Sequence, residues 1–246
     1  MEDTIEYFTL EIIGNKKTKS GDQISEWLHP KVEEVNNKMN DWDWSKPFEF
    51  EMPEKSLVSE LDEILKDNRM PDELPEIGRF QLYDSSKLTD FIKGSFLEQY
   101  GLIVSGKAKT VLTQFNLGRH KFYPITICYK GIDYNDYYFL KCLTSSNDYI
   151  DFEKTEFQTQ KSFLDKESKR QIEFKTKDEF VKFINETSKH KLYLFADKIK
   201  LSDVFPRFDL IEINDFGVNE IFVTESLSKE LNKLTGVTLT KSERIS

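Results

Sequence analysis

Glu173-Phe174-Lys175 is the segment of this chain whose residue types come nearest to a catalytic pattern. An acid and a lysine two residues apart on a strand share one face. With an upstream aspartate, such a pair can hold Mg²⁺ and orient an attacking water, as in metal-dependent nucleases. Asp151 and Asp165 are the upstream candidates. The same spacing arises wherever charge is dense, and the shared face is then simply solvated. A short motif without supporting context is weak, so Glu173 and Lys175 stand as the runner-up reading, a metal-dependent nuclease-like enzyme. The other reactive types form no pattern. His29, His120 and His190 each lack a Ser or Cys in a recognisable arrangement. The ten glycines are scattered singly, so no phosphate-cradling loop exists, and GxSxG is absent. Cys128 and Cys142 flank the turn-like run Gly131–Asp136. They form no CxxC or Cys/His zinc pattern, and with no secretory context they are read as thiols on neighbouring strands rather than a disulfide. No catalytic residue, metal ligand or cofactor is therefore assigned, and the expectation is a protein that is not an enzyme.

Asp41-Trp42-Asp43-Trp44 suggests recognition instead of reaction. Indole rings between carboxylates can anchor a protein partner while the acids steer a basic one. The competing reading buries one or both indoles in the core, where Trp is found on average.

These residues must be held by a chain of 246 residues, enough for one large domain or two small ones. The hydrophobic fraction of 38% is low, but Phe 20 and Tyr 10 compensate through their large buried area. The formal charge of −9 argues against general nucleic-acid binding, which needs a basic surface. The first residues have neither a basic n-region nor an apolar h-region, and no apolar run reaches membrane-spanning length. The expected setting is the cytoplasm, without membrane association.

Residues 4–13 alternate as a half-buried strand, with Phe8, Leu10 and Ile12 on one face. A weak helix is expected over 23–39, a short strand around Phe48–Met52, and a helix over 56–66 capped by Ser56. Pro71 and Pro75 among acids mark a linker and a soft boundary near residue 80. Helices are expected over 84–100 and over 105–115, the latter capped by Ser105. Residues 123–129 and 137–143 read as a hairpin. Strands follow over 149–157, 170–175, 192–196 and 208–213, with a surface loop over 162–170. Thr176 and Glu179 form a capping box that opens a helix with Phe180, Phe183 and Ile184 inward. Ile221–Val223 leads into a helix capped by Thr224, with Leu227, Leu231 and Leu234 on one face and Gly236 as the stop. The sum is an α+β fold, mainly antiparallel sheet with several packed helices. It divides into an N-terminal part, 1–79, and a larger domain, 80–246.

An ordered set of core and turn segments runs through that larger domain. It comprises Leu102–Ser105, Phe115–Gly118 with His120–Pro124, Tyr137–Leu140, Tyr149–Phe152, Ile221–Val223 and Leu234–Val237. Over residues 78–239 the chain resembles a bacterial family first catalogued as a domain of unknown function and later grouped with the immunity proteins of polymorphic toxin systems. The resemblance implies a protein that binds and neutralises a cognate protein toxin in the producing cell. It carries no catalytic motif, so no site residue is transferred. Occlusion of the toxin by an acidic, aromatic-bearing surface is the expected mechanism, with Asp41, Trp42, Asp43 and Trp44 in the 1–79 part as the specificity-bearing contacts. A regulatory or scaffold domain with an unrelated partner is a third reading.

Overall fold

The computed structural model describes residues 5–14, 16–17, 22–28, 70, 79–94, 101–143, 149–161, 166–190, 192–213 and 220–246. The strands are β1 (Tyr7–Ile12), β2 (Ile24–Leu28), β3 (Arg79–Leu82), β4 (Phe91–Ile92), β5 (Leu102–Ser105), β6 (His120–Tyr129), β7 (Ile132–Cys142), β8 (Glu156–Gln160), β9 (Arg170–Ile172), β10 (Tyr193–Lys198), β11 (Leu210–Ile213), β12 (Glu220–Thr224) and β13 (Val237–Lys241). The helices are α1 (Gly106–Leu112), α2 (Lys177–His190) and α3 (Glu225–Leu231). Strand dominates. The α+β class holds only coarsely, because the described residues carry three helices in place of several packed ones.

Three sheets stack with apolar layers between them. A six-stranded sheet runs β2-β3-β6-β7-β5-β4, a four-stranded sheet β11-β12-β1-β13, and a three-stranded sheet β10-β8-β9. Among the described strands the ladders are antiparallel except that of β3 with β6. The alternation read for β1 is realised and both of its faces are used. Leu10 and Ile12 enter the core shared with α1 and α3, while Tyr7 enters the core shared with β8 and α2. β12 splits likewise, Val223 to the first and Phe222 to the second. A strand buried on both faces is what a middle layer demands.

Several local readings hold. Ser105 caps α1, its Oγ accepting from the Ala108 amide at 3.1 Å. The β6–β7 hairpin turns through Lys130 and Gly131, both at positive φ, the two-residue arrangement whose twist suits a hairpin. Glu179 donates its amide to Thr176 Oγ1 while its carboxylate accepts from the Lys175 amide, so the capping box is present with its return bond one residue early.

Others are corrected. Ile24–Leu28 is a strand paired with β3, where a weak helix was expected. The expected helix over 84–100 is, in its described part, a turn followed by β4. The spacing of Leu88, Phe91 and Ile92 imitates a helix. Yet Phe91 joins the core around α1 while its neighbour Ile92 joins the core beyond the six-stranded sheet. Adjacent side chains reach opposite layers only on an extended backbone. Residues 149–155 turn on Asp151 instead of forming a strand. The Asp151 carbonyl accepts from the Thr155 hydroxyl at 2.8 Å and its carboxylate from the Lys154 amide at 3.2 Å, an Asx-type turn. The strand 170–175 ends at Ile172. Gly236 does not stop α3, because Asn232 is already its C-cap, which leaves Leu234 past the helix; Gly236 instead directly precedes β13. The strand around Phe48–Met52 and the helix over 56–66 lie outside the described residues.

Candidate partner-binding surface

Asp41, Trp42, Asp43 and Trp44 lie outside the described residues, as do His29 and Asp165. Glu173 and Lys175 sit past the end of β9, both exposed, with Phe174 buried between them. The Lys175 amide is committed to the cap of α2. Asp151 is ion-paired with Lys154 at 2.8 Å, and that hydrogen-bonded partner holds its carboxyl below the usual range. Among the described residues no group of three or more His, Cys, Asp or Glu could hold a metal. Cys128 lies opposite Asp133 and Cys142 opposite His120, toward different ends of the hairpin, and both thiols are free. Burial pushes the Cys142 thiol up, away from reactivity.

What the structure does assemble is a chain of half-buried rings along one rim. Lys109 of α1 lies 3.7 Å from the Tyr138 ring centroid and 5.6 Å from that of Phe122. Phe122 meets Tyr138 edge-on, and His120 meets Phe122 edge-on at 5.6 Å. The His120 ring bonds through Nδ1 to the Gly118 carbonyl at 2.9 Å. Gly118 holds φ at +65°, and Phe208 occupies the space its Cβ would need. Phe208 then meets Phe205 and Tyr149, the three rings mutually edge-on. Contact is continuous from α1 to the loop 202–209.

That loop is fastened at its base and exposed at its tip. Asp209 Oδ2 accepts from the Asn116 amide at 2.9 Å, and Oδ1 from the Thr224 hydroxyl at 2.7 Å. The Asp209 amide donates to the Asn116 carbonyl, and the Ser202 amide to the Tyr149 carbonyl. Buried Tyr7 has its phenol pushed up to about 12 by burial first and then by Asp209, with Arg207 opposing. Between these anchors Val204 is 78% exposed, and Pro206 and Arg207 also face solvent. Arg207 holds φ at +55°. A non-glycine residue there costs roughly 1–2 kcal/mol, and no hairpin explains it as one explains Lys130. Strain of this kind concentrates at functional segments. Periodicity does not find such a surface; the run Phe205-Pro206-Arg207-Phe208 was its available signal, an Arg and two rings around a turn-forming proline.

The described residues thus build stacked sheets bearing an aromatic rim, and among them no group of His, Cys, Asp or Glu converges on a metal site. The chain belongs to the Imm11 immunity protein family, whose family model matches residues 28–243. The match begins well upstream of the segments that carried the resemblance. β1 lies before it, although β1 is paired on both edges by strands inside it. No curated protein matches the chain.

Proposed function

We propose that this protein is a cytoplasmic, non-enzymatic immunity protein that neutralises a cognate toxin by binding it stoichiometrically and covering its active surface. Membership of the immunity family over residues 28–243 is the observation that carries this reading. The net charge of −9 supports a toxin with a basic surface. Asp41, Trp42, Asp43 and Trp44 are the proposed specificity contacts, the acids steering the approach and the rings anchoring the complex. The absence of any helix long and apolar enough to cross a membrane among the described residues is compatible with that setting.

The test is co-expression with the product of each adjacent gene that proves toxic on its own. Growth should be rescued, and a one-to-one complex should survive gel filtration. Trp42→Ala or Trp44→Ala should accelerate dissociation about thirtyfold if the ring is a buried anchor. A toxin that kills with equal efficiency in the presence of the intact protein would remove the immunity reading.

A further inference from the structure

We infer that the rim running from Lys109 through Tyr138, Phe122, His120 and Phe208 to Arg207 is a second docking face, and that it receives an acidic segment of the toxin. This rests on the immunity reading above.

The charge pattern identifies the occupant. The whole chain carries an excess of acids, yet residues 99–132 contain no Asp or Glu. This stretch places Lys109 on the rim and Arg119, exposed, next to His120, whereas Lys107 pairs with Asp90, Lys121 lies over Tyr123 of the other core and Lys130 over Tyr129 at the hairpin turn. It builds α1, the loop after it and β6, the elements that hold half of the rim. The loop 202–209 adds Arg207 next to Phe208. Of its two acids, Asp209 spends both oxygens on Asn116 and Thr224, while Asp203 is exposed beside Val204 and interacts with Lys154. Asp136 sits beneath Gly106, at the other end of α1. The rim therefore sets Lys109, Arg119 and Arg207 among aromatic faces, and its Arg, Tyr and Phe are residue types enriched at protein interfaces.

The geometry adds preorganisation. Lys109 already lies over Tyr138, and the loop base is fixed by Asp209, so little side-chain or backbone freedom remains to be lost on docking. Val204, exposed at the tip, supplies an apolar point of contact beside the cations. A nucleic acid would use the same cations, but the surrounding charge of −9 repels a polyanion far larger than the rim, whereas a short acidic segment meets only the rim.

The experiment measures association and dissociation with the purified toxic product of the adjacent gene. The wild type is compared with the triple variant Lys109→Glu, Arg119→Glu, Arg207→Glu, with Phe122→Ala, and with the control Lys229→Glu, Lys233→Glu on α3. The triple variant should associate about tenfold more slowly or worse, and lose most of its salt dependence. Phe122→Ala should dissociate at least about tenfold faster, while the control matches wild type. Thermal melts accompany each variant. Because Arg119 and Arg207 are exposed, that pair alone is measured if the triple variant melts early. Wild-type binding with an unchanged triple or double variant would overturn this inference and leave the immunity reading standing. No binding by the wild type would overturn both. Loss of binding to a short single-stranded oligonucleotide, with toxin binding intact, would also overturn it and assign the rim to nucleic acid.

Discussion

Gly236 and Arg207 both hold φ in the left-handed region, at +90° and +55°, on opposite terms. At Gly236 a side chain has nowhere to go, since its Cβ would run into the Phe91 carbonyl and the Thr89 side chain. The glycine lets the β13 end of the four-stranded sheet close against β4, with the Phe91 amide donating to Thr235 O at 3.1 Å and the Ile13 amide to Gly236 O at 2.8 Å. Arg207 has open solvent around it and accepts a strained backbone that a glycine would take without cost. One position serves packing. The other bears strain where packing asks for none, which is how a presented side chain differs from a structural one.

The comparison breaks most visibly if the packed region proves tolerant. Leu231 is fully buried in the layer between the two large sheets. Leu231→Asp should abolish cooperative melting, because an unpaired charge would be buried. Gly236→Val should cost about 2–4 kcal/mol, from strained φ and the close carbonyl together. Both are read by thermal and urea unfolding, and wild-type-like curves would show that β13 does not close against β4.

Asp90 tests the same closure through pH. Its burial would raise the carboxyl, but hydrogen bonds from the Thr235 amide, Ser105 Oγ and Thr235 Oγ1, with Lys107 nearby, outweigh it and leave the group lowered. A carboxylate lowered in the folded state contributes stability above its unfolded value, about 3.9. That stability is lost as pH falls through the folded value. Asp90→Asn should therefore destabilise near neutral pH by about 1.5–3 kcal/mol, the worth of a hydrogen bond to a charged group. The gap from wild type should narrow below about pH 4. A gap that does not change with pH would mean the loss is one of shape alone.

The smallest effect sharpens the contrast. Arg207→Gly should leave stability unchanged or raise it by up to about 1 kcal/mol, as relief of strain is partly offset by glycine's unfolded-state freedom. Toxin binding should weaken in the same protein. Paired urea midpoints and binding rates would show it. Destabilisation comparable to that of Gly236→Val would make the loop a fold element.

The sequence made legible those elements whose apolar spacing and end signals agree. Thr224 and the Leu227–Leu231 stripe, Ser105 before α1, and Thr176 with Glu179 before α2 all stand where read. Thr224 turned out to spend its hydroxyl on Asp209, so its position was legible and its partner was not. Failure came where a tertiary layer overrode local spacing. Phe91 and Ile92 serve two cores, and Gln23, read as the start of a helix, binds Lys93 N and Lys87 O to pin that segment extended. The aromatic rim was illegible for a similar reason. Its rings come from β6, β7 and two loops, and only the fold places Phe208 against Gly118.

β1 occupies the interior of its sheet, between β12 and β13, which leave the ribosome roughly 200 residues later. At synthesis rates of about 5–20 residues per second that interval is on the order of 10–40 s. Through it β1 has two open hydrogen-bonding edges and two apolar faces without partners, the condition that invites mispairing. Closure of the middle layer therefore waits until β12 and β13 have been made. On the immunity reading proposed above, a cell that starts toxin and antidote together meets that delay on every new chain.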